Sequence, residues 1–258
     1  MKKHIKNFMR YRFLLVELVK KVIKLKYRRS YLGIIWSLVE PLLEMIVLAI
    51  VFGTLLGNED PTFPVYILTG RLLYSFFSQG TKASLTSIRR NASMIKKVYV
   101  PKYLYPLSAV LSNYIIFAIS LVVLVAVALL LGVYPTVYIF WVVVPLLLLL
   151  ILTLGVGMIL ATLGVFFRDL EYLWNVALML VMYTCAIFYY PERILASGYN
   201  WILKLNPLYC VISLFRDSVF GRPLDMQMLL YTAVFSVSAL LIGLFIFRKN
   251  QDKFILHI

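Results

Sequence analysis

Residues 27–57 have the sequence YRRSYLGIIWSLVEPLLEMIVLAIVFGTLLG, and this stretch decides the class of the protein. Arg28 and Arg29 are followed from Tyr31 by a long apolar run with no lysine or arginine before Gly57. About 20 apolar residues cross the hydrocarbon core of a bilayer, so the run is long enough to span a membrane. Because positive charge lies before the run and not after it, we expect the run to begin in the cytoplasm.

The composition extends this reading to the whole chain. Hydrophobic residues make up 62% of the sequence, charged residues 14%, and the mean hydropathy is +0.91. Soluble domains have roughly 45–50% apolar and about 25% charged residues. The predicted fold class is therefore all-α, a polytopic membrane protein. The charged N-terminal region is too long for a cleavable signal peptide, so the first apolar run is expected to remain as an anchor.

The net charge of +15 is distributed in bands. Lysine and arginine number 11 in residues 1–29, six in residues 82–102 and three in residues 248–253. Such banding is the result of the positive-inside rule, so the basic charge requires no nucleic-acid partner. It predicts that both termini and the segment 82–102 are cytoplasmic.

Apolar runs and turns divide residues 1–258 into one transmembrane domain with six spans. Residues 1–29 are predicted to form an amphipathic helix in the cytoplasmic interface. Residues 82–102 are predicted to form a basic cytoplasmic loop with one short helix that ends before Pro101. Residues 189–226 are too polar for a span and too apolar for a loop, which favours short re-entrant helices on the outer side. The predicted spans are residues 31–57, 64–80, 103–133, 137–167, 172–188 and 227–247.

Small residues indicate where helices pack. Gly155, Gly157 and Gly164 in the fourth span predict close helix approach. Cys185 and Cys210 match no metal-binding spacing and are interpreted as small packing residues.

The sequence offers little for catalysis. It has no G-x-x-x-x-G-K-[ST] motif that could hold ATP. Its two histidines, His4 and His257, lie near the chain ends and do not form a metal-binding pattern. We therefore predict no catalytic residue and no metal site.

Two carboxylates stand out in the first span. Glu40 and Glu44 are four residues apart and share one helix face, and Pro41 between them loosens the local hydrogen bonding. An ionised carboxylate at mid-membrane costs at least ~2.5 kcal/mol, so it should face a bundle interior, an aqueous path or a cation. Arg71 in the second span is the candidate cation, and its depth matches Glu44 better than Glu40. A structural ion pair, a role in a translocation path and a proton relay all remain open.

Aromatic residues are the second candidate feature: the chain has 18 tyrosines and 17 phenylalanines. Interfacial aromatic belts explain many of them. Tyr74, Phe76 and Phe77 form a tight group within the second span, where flat rings could line a path for sugars.

Four segments carry a family resemblance: 27–53 (YRRSYLGIIWSLVEPLLEMIVLAIVFG), 68–81 (LTGRLLYSFFSQGT), 164–178 (GVFFRDLEYLWNVAL) and 206–221 (NPLYCVISLFRDSVFG). In this order they resemble the permease subunit of ABC-2-type exporters of polysaccharides and polyol phosphates, a family that handles O-antigen, capsular polysaccharide and teichoic acid. Arg71 departs from the usual apolar residue at its position, and Glu40 is less typical of the first helix.

The resemblance implies a homodimer of six-span subunits bound to two separate ABC ATPase subunits, which bind ATP and Mg. This chain would hold no cofactor. It would lie in the cytoplasmic membrane of a bacterium, contact membrane lipids, and export a lipid-linked glycan or a polyol-phosphate polymer.

Three groups of site residues follow. The substrate path is assigned to Trp36, Glu40, Glu44, Arg71, Tyr74, Phe76 and Phe77. The surface that couples to the ATPase is assigned to Arg89, Arg90, Met94, Ile95, Lys96 and Lys97. The outer gate is assigned to Tyr189, Tyr190, Trp201, Asn206 and Pro207.

Two other functions fit the same pattern of spans. A drug or small-lipid exporter permease would have the same architecture. A membrane-embedded enzyme of envelope synthesis is the alternative from another class, although its acidic residues would be expected to gather at one membrane face.

Overall fold

The computed structural model describes residues 2–28, 30–56, 60–98, 100–192 and 200–257, and every regular element within them is helical. The all-α prediction is confirmed. Gly57 of the first predicted span and residues 193–199 of the predicted outer region lie outside the described residues. The helices are α1 (Lys2–Tyr27), α2 (Trp36–Leu56), α3 (Phe63–Arg90), α4 (Ala92–Lys97), α5 (Leu104–Leu130), α6 (Val143–Phe166), α7 (Leu170–Thr184), α8 (Asn200–Lys204), α9 (Pro207–Val219), α10 (Met226–Asn250) and α11 (Phe254–His257).

Six helices, α2, α3, α5, α6, α7 and α10, run alternately between two ends of a bundle. The end that we call the basic end holds α1, α4 and α11, because Leu18, Ile95 and Phe254 share one hydrophobic cluster there. The opposite end holds the start of α3, where Phe63 packs with Tyr190 and Phe220. Both terminal helices and the segment 82–102 therefore meet at the same end, as the charge banding predicts.

Within the described residues, four helical stretches are long and apolar enough to cross a membrane: Gly33–Thr54, Leu104–Leu130, Val137–Phe166 and Met226–His257. The chain is a multi-pass membrane protein. The helix α3 has 28 residues but carries many polar side chains, and α7 has 15 residues. At 1.5 Å per residue α7 is about 23 Å long, less than the roughly 30 Å of a hydrocarbon core. The count of six spans stays a prediction.

The helix α3 is longer than the second predicted span, residues 64–80. It continues without a break to Arg90 and occupies the first part of the predicted loop 82–102. Leu85 and Ile88 are buried there, and the Ser84 hydroxyl donates a hydrogen bond of 2.9 Å to the Gly157 carbonyl of α6. Packing against α6 thus keeps this polar sequence helical. The short helix expected in the loop is α4.

The fifth predicted span, 172–188, is helical only as far as Thr184. Cys185 to Phe188 are irregular yet buried, and Ala186 has φ = +47°. Buried backbone outside a helix needs other hydrogen-bond partners. The Ala186 carbonyl accepts one bond from the Tyr66 hydroxyl and one from Arg216, both at 3.0 Å.

The predicted region 189–226 does contain short helices, α8 and α9. Asn206 caps α9, because its side-chain oxygen accepts hydrogen bonds from the backbone N–H groups of Leu208 and Tyr209. Pro207 occupies the first turn, where its missing N–H costs nothing. Ten of the 13 residues of α9 are buried, so α9 is part of the core rather than a surface loop.

The helices α6 and α10 cross at very short distance. A Cβ atom on Gly155 would lie 2.5 Å from the backbone nitrogen of Leu240, and one on Gly243 would lie 2.5 Å from the Gly155 carbonyl oxygen. Gly157 and Gly164 meet Ser84 and Leu85 of α3 in the same way. The prediction of close approach at the three glycines of α6 is confirmed.

We predict that Gly155→Ala separates α6 from α10 and lowers stability by about 1–3 kcal/mol, the usual cost of overpacking a core. The measurement is the thermal melting temperature of the purified protein in detergent. Leu163→Ala, on the exposed side of the same helix, is the control. Equal melting of Gly155→Ala and the control would contradict the close crossing.

Candidate functional site

A polar cleft opens between α2, α3 and α5 beside the last turn of α1, and its volume is about 40 Å³. This volume holds a few water molecules and no sugar ring. The polar side chains that line the cleft come from four helices: Lys26, Ser37, Glu40, Glu44, Arg71, Ser75, Gln79, Asn113 and Ser120. Such a concentration of polar groups inside apolar helices is the strongest candidate for a functional site.

Glu44 and Arg71 form the predicted ion pair at the centre of the cleft. Arg71 Nε donates to Glu44 Oε2 and Nη2 donates to Oε1, each at 2.7 Å. The two parallel bonds use the fork of the guanidinium, a geometry that lysine cannot reproduce. The side chains remain 22% and 34% exposed, so the pair is accessible from the cleft.

Pro41 interrupts the hydrogen bonding of α2 between the two glutamates. A proline at position 41 cannot donate to the carbonyl of residue 37, four positions earlier. The structure supplies another donor, because the Ser120 hydroxyl of α5 donates to the Ser37 carbonyl at 2.7 Å. The Ser37 carbonyl on the α2 side of the cleft therefore has a hydrogen-bond donor despite the proline.

Glu40 lies on the exposed surface of α2, whereas Glu44 faces α3. Lys26 of α1 reaches the cleft and donates to Gln79 Oε1 at 3.1 Å. Burial lowers the pKa of Lys26, and the negative charge of Glu40 acts in the opposite direction. The cleft thus has a cationic entrance at the basic end.

The structure separates the seven residues assigned to the path. Glu40, Glu44, Arg71 and Phe76 line the cleft, and Trp36 is 42% exposed on α2. Tyr74 and Phe77 do not line it. The Tyr74 hydroxyl donates to the Leu178 carbonyl at 2.9 Å, and the Phe77 ring packs against Trp174. Both rings are buried between α3 and α7, and their assignment to the path stays a prediction.

The residues assigned to ATPase coupling differ in their surroundings: some are paired or packed within this chain, and others are exposed. Arg89 forms an ion pair of 3.1 Å with Glu171 at the start of α7. Ile95 is buried in the hydrophobic cluster of the basic end, and Met94 packs against that cluster. This chain already covers Ile95, and a docking role for Met94 and Ile95 stays a prediction. Arg90, Lys96 and Lys97 are exposed at the basic end.

The residues assigned to an outer gate lie at the opposite end. Tyr190 donates to Asp60 Oδ2 at 2.8 Å, and the Tyr189 hydroxyl donates to the Tyr183 carbonyl at 2.7 Å. Trp201 is 56% exposed. Asn206 caps α9 and its amide also donates to Thr184, so Asn206 and Pro207 have local structural roles.

Arg216 of α9 was not singled out from the sequence, yet it organises this end. Its guanidinium donates to the carbonyls of Tyr66 and Ala186 at 3.0 Å, and to the Thr69 hydroxyl at 3.3 Å. It also lies 3.4 Å from the centre of the Tyr66 ring. Gly70 makes this possible, because a Cβ there would lie 2.6 Å from Arg216 Nη2. The available indication was an arginine within an apolar helical segment, 208–220.

A cavity of about 360 Å³ opens beside Arg216. Tyrosines, carboxylates and arginines line it: Asp60, Tyr66, Tyr190, Glu192, Tyr209, Arg216, Asp217 and Arg222. Burial on its own raises the pKa of Asp60, but hydrogen bonds from Thr62 and Tyr190 and the charge of Arg222 lower it below its ordinary value. Asp60 is therefore ionised at neutral pH.

The sequence profile of the ABC-2 type transporter family matches residues 14–220 of the chain. The chain belongs to this family. The match runs from α1 to the end of α9 and includes the polar cleft and the opposite end of the bundle. The family assignment identifies the chain as the membrane part of an ABC-2 type transporter, in agreement with the resemblance found in the sequence.

Individual relatives match over nearly their full length. The O-antigen export system permease protein RfbA of Klebsiella pneumoniae is 30% identical over 243 residues, 93% of each chain. RfbA of Myxococcus xanthus is 28% identical over 252 residues, 97% of each chain. The polysialic acid transport protein KpsM of Escherichia coli is 26% identical over 234 residues, 89% of this ABC-2 chain and 90% of KpsM.

We predict that Arg216→Lys destabilises this ABC-2 protein by at least about 3 kcal/mol. Lysine keeps the buried charge but cannot reach three acceptors at once, and each hydrogen bond to a charged group contributes about 1.5–3 kcal/mol. Thermal melting in detergent measures the effect. Arg222→Lys, a neighbouring exposed position, is the control. Melting of Arg216→Lys at the wild-type temperature would show that the fork geometry is unnecessary.

Proposed function

We propose that the chain is the transmembrane subunit of an ATP-driven exporter that moves a lipid-linked polysaccharide or a teichoic-acid-type polymer outward across the bacterial cytoplasmic membrane. The names of the relatives support export of a bacterial surface polysaccharide. In this proposal two copies of the chain assemble with two separate ATPase subunits, which bind ATP and Mg. The basic end is cytoplasmic, and so are both termini.

The single observation that carries the proposal is the exposed carboxylate of Glu40 on α2. Glu40 is seven residues past the start of the candidate span Gly33–Thr54, about 10 Å along the helix axis. A carboxylate facing lipid at such depth is costly. The α2 face with Glu40 and Trp36 therefore meets water or a second subunit rather than lipid.

The size of the cleft supports a path between two subunits. A volume of about 40 Å³ admits no sugar ring, so a polymer would have to move outside the cleft of one subunit. Its wall would be the exposed face of α2, with Trp36 and Glu40 at the surface and the Glu44–Arg71 pair behind them. Phe76 would line the base of the cleft.

In this proposal the basic end transmits the motion of the ATPase to the bundle. One hydrophobic cluster joins Leu15 of α1 and Ile95 of α4 to the ends of α3, α5, α6 and α10. A partner that moves α1 and α4 therefore moves the ends of four long helices together. The exposed cations Arg90, Lys96 and Lys97 would form the rim that an ATPase contacts.

We predict that Glu44→Gln lowers polymer export at least tenfold and leaves assembly with the ATPase unchanged. The amide keeps the shape of the side chain but leaves Arg71 without a counter-charge. Surface polymer on cells and the lipid-linked polymer retained inside are the measurements. Glu17→Gln, in an exposed ion pair of α1, is the control.

The double replacement Glu44→Arg with Arg71→Glu separates the two roles of the pair. Restored export would mean that the ion pair is only structural, whereas continued loss supports a role for Arg71 in the path. Unchanged export in Glu44→Gln alone would remove the cleft from the proposal.

We also predict that the double replacement Lys96→Glu with Lys97→Glu prevents copurification of the ATPase subunit while the chain still folds. Reversed charge at an exposed rim opposes docking, and it leaves the buried Ile95 intact. Lys253→Glu, an exposed lysine at the same end, is the control. Copurification at wild-type yield would exclude Lys96 and Lys97 from the docking surface.

A further inference from the structure

An apolar groove runs along the outside of the bundle where α5, the segment 131–142 after it and α9 meet, and its volume is about 220 Å³. Among the residues that the structure describes, every side chain that lines the groove is a hydrocarbon. The groove shares no described lining residue with the polar cleft, with the cavity beside Arg216 or with a polar cavity of about 740 Å³ at the basic end. It is therefore a separate feature of the molecule.

The groove has a buried floor and an exposed edge. Leu124 and Ala128 of α5 line it together with Phe215 and Val219 of α9, and all four side chains are buried. Val125, which is 58% exposed, lies at the edge. The floor therefore joins α5 to α9, and the edge leaves the groove open to the surroundings of the bundle.

The groove extends over the depth of one bilayer leaflet. The helix α5 is a candidate span, and its first residue, Leu104, belongs to the hydrophobic cluster of the basic end. Leu121, the first lining residue of α5, is nine residues before Leu130, which corresponds to about 14 Å of helix. Half of a hydrocarbon core of roughly 30 Å is about 15 Å. The groove therefore lies along the leaflet at the opposite end of the bundle.

Exposed aromatic side chains mark the boundary of this leaflet. Tyr134, Tyr138 and Trp141 follow the end of α5 and are exposed. Tyrosine and tryptophan are enriched at the level of the lipid headgroups. Ile139 and Val142 line the groove and are sequence neighbours of these aromatic residues in a short 3-10 helix. The groove therefore begins near the headgroups and continues into the hydrocarbon.

The lining determines the chemistry of the ligand. An apolar cavity of about 150 Å³ stays dry and binds a small hydrocarbon such as benzene, so a groove of about 220 Å³ has room for part of an acyl chain. An empty groove would lose the dispersion contacts of its lining. The described lining residues offer no charge and no side-chain hydrogen bond to a polar ligand. Acyl chains are the hydrocarbon that surrounds a multi-pass membrane protein at this depth.

A second subunit is the other possible occupant of an apolar surface. The face proposed to meet a second subunit belongs to α2 and carries Glu40. No residue of α2 is among the described residues that line the groove. The groove is therefore left to the lipid.

We propose that this groove binds one acyl chain of a phospholipid from the leaflet at the opposite end of the bundle. The chain packs on Leu124, Ala128 and Phe215, and the headgroup stays at the level of Tyr134 and Trp141.

The position of the groove gives the bound chain a structural consequence. Phe215 lines the groove and directly precedes Arg216, whose guanidinium connects α9 to α3. An acyl chain that packs on both α5 and α9 holds α9 in place from the side of the lipid. The arrangement of the opposite end thus depends on the bilayer as well as on Arg216.

The test uses the full-length chain, purified in detergent and freed of native lipid. The probe is a phosphatidylcholine with a photoreactive diazirine in one acyl chain, added in the same molar amount as the protein. Illumination attaches the probe to neighbouring residues, and peptide mass spectrometry locates them. We expect attachment at residues 121–142 and 215–219 to exceed attachment at Leu230 and Val234, which are exposed on α10. An excess of unlabelled phosphatidylcholine should remove the attachment in the groove.

The replacement Ala128→Leu fills the groove from its floor and should lower attachment there at least tenfold. The matched control is Ala126→Leu, which adds the same atoms at an exposed position of the same helix that does not line the groove. Equal attachment in the two variants overturns the proposal.

A second pair of variants keeps the test decisive where Ala128→Leu fails to fold. Val125→Phe places a ring at the exposed edge of the groove, and Val122→Phe places the same ring at a position that is 61% exposed and does not line the groove. Attachment should fall in Val125→Phe and not in Val122→Phe. The same attachment in both variants contradicts an acyl chain in the groove.

The remaining outcomes identify other occupants. Attachment that unlabelled phosphatidylcholine does not remove would mean bulk lipid only, which overturns the proposal. Absence of attachment in the groove, together with disulfide-linked pairs of chains in Val125→Cys and not in Val122→Cys, would assign the groove to a second copy. The native Cys185 and Cys210 are buried and leave this measurement undisturbed.

Discussion

The guanidinium of Arg216 is the interaction on which the opposite end of the bundle depends. The helix α7 stops at Thr184, and the chain continues through buried, irregular backbone that must find hydrogen bonds outside a helix. Arg216 donates to the carbonyls of Tyr66 and Ala186 and lies on the Tyr66 ring, so α3, α9 and the segment after α7 converge on one side chain. The absence of a side chain at Gly70 provides the space. A helix as short as α7 is therefore compatible with a bundle whose other main helices are longer.

The same rule governs the cleft. Pro41 removes one hydrogen bond from α2, and Ser120 of α5 satisfies the carbonyl that this leaves at Ser37. In both places a break in helical bonding is compensated by a side chain distant in sequence, 83 residues away for Ser120. These compensations fix neighbouring helices to each other, because the donor can serve only one position. Neighbouring helices are therefore held to each other at the positions where the regular helical hydrogen bonding is interrupted.

Charge banding and apolar runs predict the all-α membrane fold and the shared end of both termini, and depth along two helices predicts the Glu44–Arg71 pair. The sequence does not reveal which face of a helix is buried when nearly every face is apolar. Tyr74 and Phe77, for example, pack against α7, and nothing in their apolar surroundings in the sequence indicates that contact. The partners of Arg216 are backbone carbonyls, which leave no trace in a sequence, and the polar end of α3 is helical only because α6 covers it.

The polar features of one subunit are unevenly connected. The cavity of about 740 Å³ at the basic end shares Lys26, Gln79 and Asn113 with the cleft, whereas the cavity of about 360 Å³ at the opposite end shares no lining residue with it. A polar route within the described part of one subunit therefore ends at the level of the Glu44–Arg71 pair. Beyond that level, towards the start of α3, Val65 and Leu68 are buried in an apolar core. A hydrated route that continues to the opposite end would therefore run outside the subunit. The exposed surface of α2 that carries Glu40 is where such a route would leave the cleft.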